Sequence, residues 1–144
     1  MNWFFDCYGT RTYNGTWNSN KEEADRIVKR AFTKKQISAY QAGKLRIFID
    51  ELHPVYGAKS FYGKARIVTV NGKNSLEVYL ISYNTAVAKI DNKGRFIRLW
   101  DDYSATTQRH IDSFMDRFGM RGLGKAEWLA LPIGTWGRTR EVTA

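Results

Sequence analysis

The spacing of apolar residues along this chain changes several times, and each change marks an element. Ala24, Ile27, Val28, Ala31 and Phe32 recur at intervals of three and four, which is one face of a helix over about 20–32. Asn18 or Ser19 can cap it. Glu22 and Glu23 stand in its first turn, and Lys29, Arg30, Lys34 and Lys35 gather toward its end, the order that a helix dipole favours. Thr33-Lys34-Lys35-Gln36 fits a capping box, so a second short helix starts there, and Gly43 is placed to end it. A strand follows at once, which argues against a helix-turn-helix.

The period then drops to two. Leu45, Ile47 and Ile49 alternate with Lys44, Arg46 and Phe48, predicting a strand over 44–50. Further strands are expected at 64–70, at 76 to about 90 with a bend near Ser82 to Ala86, and at 95–100. Asn71-Gly72 and Asp91-Asn92-Lys93-Gly94 supply the turns. The Ser104–Thr107 cluster opens a helix over 104–118 that buries Thr107, Ile111, Phe114, Met115 and Phe118. Gly119, Gly122 and Gly124 form a connector to a short last helix with Trp128 and Leu129, stopped by Pro132. These elements predict an α+β fold: a four- or five-stranded antiparallel meander, packed on one side by the helices at about 20–32 and 104–118. With 144 residues, no repeat and no long linker, residues 1–144 read as one domain.

Composition adds a direction. The chain carries five Trp, eight Tyr and eight Phe, more rings than a modest core needs, so some are expected at the surface. Six of them, with Gly9, Asn14 and Gly15, crowd residues 3–17, read as a short strand or aromatic plug and a loop. The net charge of +9 favours phosphate polyanions or acidic protein surfaces. Cys7 is the only cysteine, which excludes an intramolecular disulfide and fits a reducing compartment. The N-terminus lacks a basic n-region and contains Asp6, unlike a signal peptide. No apolar run approaches the roughly 20 residues of a membrane span. The expectation is a cytoplasmic protein.

Candidate chemistry is sparse. Gly119 to Ala126, GMRGLGKA, superficially matches a phosphate-binding loop, but Ala126 replaces the magnesium-binding hydroxyl and a helix precedes it where a strand is needed. A glycine hinge is the plainer reading. Two His and one Cys among scattered carboxylates give no metal-ligand spacing, so neither metal nor cofactor is expected. A nucleophile pair of Cys7 and His110 is the one catalytic exception, and it requires tertiary proximity. Ser104 to Thr107 are read as a helix cap rather than a phosphate site.

The sheet is the better functional surface. In one register a single face presents Lys64, Arg66, Tyr79, Tyr83 and Arg98, with Lys59 and Tyr62 beside it. Cations hold phosphates there while rings stack bases. The competing arrangement puts Tyr79 and Tyr83 under a helix and leaves the cations solvated. Lys29, Arg30, Lys34 and Lys35 form a second basic patch.

Several short words extend this picture: Ser60-Phe-Tyr-Gly-Lys-Ala65, Ser82-Tyr-Asn-Thr85, Leu99-Trp100, Ser104-Ala-Thr-Thr-Gln-Arg-His110 and Lys125-Ala-Glu-Trp128. In this order, over about 60–130, the chain resembles an uncharacterised family of small proteins encoded by bacterial phages and integrated mobile elements. The resemblance supplies no catalytic residues. It implies a setting in which small accessory proteins block host defences by stoichiometric binding, anti-CRISPR proteins being the best-known class. The expected function is a non-enzymatic inhibitor that binds an RNA-loaded CRISPR effector nuclease, or its guide RNA, through the basic aromatic surface. The rival is a general DNA- or RNA-binding accessory module of the element.

Overall fold

The computed structural model describes residues 21–54, 60–134 and 138–139. The aromatic segment 3–17, Cys7 and Lys59 lie outside the described residues. Helix α1 (Lys21–Ala31) leads directly into α2 (Lys34–Gln41). Strands β1 (Arg46–Glu51), β2 (Ala65–Asn71), β3 (Leu76–Ser82), β4 (Thr85–Ile90) and β5 (Arg95–Arg98) follow, then α3 (Ala105–Arg117), α4 (Gly124–Ala130) and a two-residue β6 (Arg138–Thr139). The strands pair antiparallel in sequence order, a meander whose five principal strands receive β6 along β5. The fold is α+β, as the alternation of periods predicts.

Two caps form where the sequence places them, at Thr33 and Ser104, while Asn18 and Ser19 lie outside the described residues. The Thr33 hydroxyl accepts the Gln36 amide at 3.2 Å, and the Gln36 side chain accepts the Thr33 amide at 3.0 Å. These two bonds satisfy two of the amides that a helix start leaves open. Ser104 caps α3 by accepting the Thr107 amide at 3.1 Å. Among the described residues no helix is long and apolar enough to cross a membrane.

Two expectations need correction. Residues 76–90 are not one bent strand but a hairpin, with Ser82 paired to Thr85 across Tyr83 and Asn84. A bulge follows: Leu80 faces Ala88 while Ile81 faces Ala86, which leaves Val87 as the extra residue. Its carbonyl accepts both the Leu99 and the Trp100 amides, at 2.9 and 3.2 Å, so the bulge extends the contact with the chain beyond β5.

The helices also do not share a side of the sheet. Ile27, Val28 and Phe32 of the first helical stretch pack with Ile47, Val68, Val70, Tyr79 and Ile81. Ile111, Phe114 and Met115 of α3, with Trp128 of α4, pack with Ala65, Ile67, Leu80, Ala88 and Phe96. Neighbouring strand residues, such as Ile67 and Val68 or Tyr79 and Leu80, belong to opposite clusters because successive side chains point to opposite faces. The sheet is therefore a middle layer. The cause is visible in β2 and β3, which carry buried apolar residues in both parities, the signature of a strand covered on two faces. Burying each such side chain contributes about 1.5–3 kcal/mol.

Candidate functional site

With both faces covered, the ends of the sheet are left to present side chains. One end gathers most of the short words noted above. Before β2, the chain turns through Phe61, Tyr62, Gly63 and Lys64, with the Lys64 amide donating to the Phe61 carbonyl at 3.1 Å. Both central residues have positive φ, 56° at Tyr62 and 74° at Gly63. Glycine adopts this region freely, whereas a bulky residue is strained there. The Ser60 hydroxyl fixes the turn by accepting the Tyr62 amide at 2.7 Å.

The β3–β4 hairpin reaches the same place. Tyr83 has φ 58°, and its amide donates to the Lys64 carbonyl at 2.7 Å. The Lys64 ammonium stands 5.7 Å from the centre of the Tyr83 ring, within cation–π range. Tyr62 and Tyr83 are 70% and 48% exposed. Two strained tyrosines thus flank one lysine at a single corner.

Beneath them lies a sealed polar core. His110 of α3 is 1% exposed. Its Nδ1 shares a 2.8 Å hydrogen bond with the Ser82 hydroxyl, which is 3.1 Å from the Thr107 hydroxyl. The Phe61 ring meets the imidazole edge-on at 4.5 Å, and Tyr83 lies 6.0 Å away. Burial, with a contribution from the Arg109 charge, pushes the His110 pKa down to about 4. The imidazole is therefore neutral at physiological pH. Ser82 and His110 resemble a nucleophile–base pair in distance, but both are buried.

The other sequence candidates fall in different surroundings. Tyr79 shares a face with Lys64 and Arg66, as one register required, but that face is covered by α1 and α2. Tyr79 is 4% exposed and packs on Phe32 at 4.9 Å. Its hydroxyl accepts from the Gln36 amide group at 2.8 Å and donates to Glu77 at 3.0 Å. Burial first, and then the Glu77 charge, raise its pKa. Buried and doubly bonded, it is not available to stack on a base. Arg66 pairs with Glu23 of α1 at 2.6 Å. Arg98 is buried and donates to the carbonyls of Trp100, Trp128, Leu129 and Leu131, holding the end of α4 to the sheet. Lys29, Arg30, Lys34 and Lys35 are exposed and make no ion pair among the described residues.

The glycine-rich stretch is filled by the protein itself. One Asp112 carboxylate oxygen accepts the Leu123 amide at 3.1 Å and the Gly124 amide at 3.4 Å, and also the Gln108 side chain at 3.0 Å. The amides that a phosphate would need are thus occupied. Among the described residues no group of three or more His, Cys, Asp or Glu is placed to hold a metal ion.

Sequence reasoning picked out Tyr62, Lys64 and Tyr83 but not what organises them. Ser82 and Phe61 lock the corner to His110. The available signal was that the Ser-Phe-Tyr, Ser-Tyr and Thr-Thr-x-x-His words had to meet somewhere. Comparison with known proteins finds no curated protein and no solved structure that matches. A family profile does match over residues 51–130, more than half of the chain and the stretch that holds the whole corner. By that match the chain belongs to a family of unknown function, DUF8033.

Proposed function

We propose that this protein acts by stoichiometric binding, as an inhibitor of an RNA-loaded CRISPR effector nuclease, and that the Tyr62–Lys64–Tyr83 corner is its contact surface. The observation that carries the reading is the pair of exposed rings on left-handed backbone. Each position costs about 1 kcal/mol or more to hold in a bulky residue. Strain of this kind persists where side-chain placement matters more than stability. Two rings beside an ammonium suit stacked bases with a phosphate between them, or an Arg-bearing protein edge. The net charge of +9 supports a partner that carries RNA. The sealed state of Ser82 and His110 supports binding over catalysis, and the resemblance to mobile-element proteins supports the defence setting.

A second reading, direct binding of DNA or RNA, is favoured by Lys29, Arg30, Lys34 and Lys35, which are exposed and make no ion pair among the described residues. The two readings separate experimentally. An inhibitor co-purifies with effector complexes and reduces target cleavage in a stoichiometric manner. The double variant Tyr62→Asn, Tyr83→Asn should weaken that complex at least tenfold, since each stacked ring contributes about 1–3 kcal/mol. A wild-type protein that neither binds any effector complex nor slows cleavage would end the inhibitor reading. The bare nucleic-acid reading requires an affinity that falls steeply with salt, and a flat response would remove it.

A further inference from the structure

The opposite end of β2 holds a second arrangement, a cleft with no aromatic residue in its lining. Helix α2 ends in a Schellman turn: the Gly43 amide donates to the Tyr40 carbonyl at 3.0 Å and the Lys44 amide to the Ala39 carbonyl at 2.8 Å, with Gly43 at φ 77°. Two residues later Arg46 begins β1, paired with Asn71 at the end of β2. There the β2–β3 turn closes through a bond from the Gly72 amide to the Ser75 carbonyl at 2.9 Å. A Cβ on Gly72 would lie 2.9 Å from the Ser75 hydroxyl and 3.3 Å from a Leu45 methyl. The missing side chain is what lets Leu45 seat on the turn.

Seating Leu45 places its neighbours Lys44 and Arg46 on the same cleft as Lys73. Together with Gly43, Asn71 and Gly72 they line one open cleft. No acid is among the lining residues. All three cations are exposed, and among the described residues none has an ion pair or side-chain hydrogen bond. Elsewhere Arg66, Lys89, Arg95 and Arg117 each have a carboxylate. Three like charges held on two fixed turns and a strand end repel one another, and a ligand with several negative oxygens relieves that repulsion. Arg46 can meet such a group with its planar fork, and the two lysines as point charges.

We propose that this cleft binds phosphate groups, and that the backbone of a nucleic-acid strand supplies them. Without an aromatic wall the cleft has nothing to read a base with, so it positions a strand by its phosphates alone. It lies about 20 Å from the tyrosine corner, the length of seven-residue β2. The inference rests on the reading that the partner is nucleic acid or carries it, and it gives that partner a second point of attachment. The cleft also crosses the family boundary: Lys73 lies within residues 51–130, whereas Lys44 and Arg46 precede them.

The test is the triple variant Lys44→Glu, Arg46→Glu, Lys73→Glu in the full chain, with its melting temperature as the folding control. Fluorescence anisotropy with a labelled single-stranded oligonucleotide should show at least tenfold weaker binding at low salt. The slope of log K against log salt should fall by about 2, since each lost contact to a single strand removes about 0.7. In NMR, tripolyphosphate and the oligonucleotide should both shift the Gly43 and Gly72 amides of the wild type. Wild-type affinity and slope in the folded variant would overturn the cleft while leaving the tyrosine corner as the binding site. Glycine shifts with tripolyphosphate but none with the oligonucleotide would reassign the cleft to a free polyphosphate and overturn the nucleic-acid source. No shift with either probe would overturn the site itself.

Discussion

At the scale of single residues, His110 has the clearest measurable consequence. Its folded pKa of about 4 lies below the ordinary 6.5 because burial disfavours the imidazolium. The unfolded chain therefore binds more protons than the native one between those values, so stability is full above pH 6.5 and is lost as pH falls toward 4. The loss between pH 7 and pH 4.5 should be about 2 kcal/mol, read by urea unfolding at those two values. His110→Gln should flatten that dependence, and an unchanged pH slope in the variant would assign the loss to other groups. Tyr62 has the opposite character. Asn tolerates left-handed backbone better than Tyr, so Tyr62→Asn should leave stability unchanged or raise it by up to about 1 kcal/mol while binding falls. A large drop in melting temperature would instead make the ring a structural one. These two residues also show what a sequence can convey at this scale. Strand parity put Tyr79 on the same face as Arg66, and the structure agrees, but Arg98, assigned to that face too, pairs with Ala88 on the opposite one; parity also names a face and not its cover. The cover is the first helical layer, with Phe32 against the ring and Gln36 on its hydroxyl.

At the scale of elements, the caps and most turns were legible because each rests on a local chemical pattern. Thr33 with Gln36, Ser104, and Asn71-Gly72 each carry their instruction within four residues. The β3–β4 hairpin was not legible, since Ser82-Tyr83-Asn84-Thr85 has no glycine and the positive φ falls on a tyrosine. The β4 bulge has no sequence mark at all. The glycines of the loop between α3 and α4 predict a hinge, but its geometry is tight. A Cβ on Gly122 would stand 2.8–2.9 Å from three Asp112 side-chain atoms. That carboxylate is pinned by the Leu123 and Gly124 amides and cannot easily give way. Gly122→Ala should destabilise the protein by about 1–3 kcal/mol, measured by chemical denaturation. A change below about 0.5 kcal/mol would mean that Asp112 is held less firmly than these bonds imply.

At the scale of the whole molecule, the apolar interior is divided. The α+β composition followed from the order of periods, but the three-layer arrangement did not, because a helix's amphipathic face does not say which side of a sheet receives it. The clue was that β2 and β3 carry buried apolar residues in both parities, a property of the strands and not of the helices. The family match begins at residue 51 and so leaves out α1, α2 and nearly all of β1. Those elements, with Phe32 in the link between the two helices, nevertheless supply Ile27, Val28, Phe32 and Ile47 to one of the two clusters. The backbone of the sheet runs between the clusters like a partition, and each reservoir of oily contacts drains separately. Amide hydrogens of the first two helices should therefore exchange with solvent deuterium through a cheaper local opening than those of α3, a hierarchy that one globally cooperative exchange rate would refute.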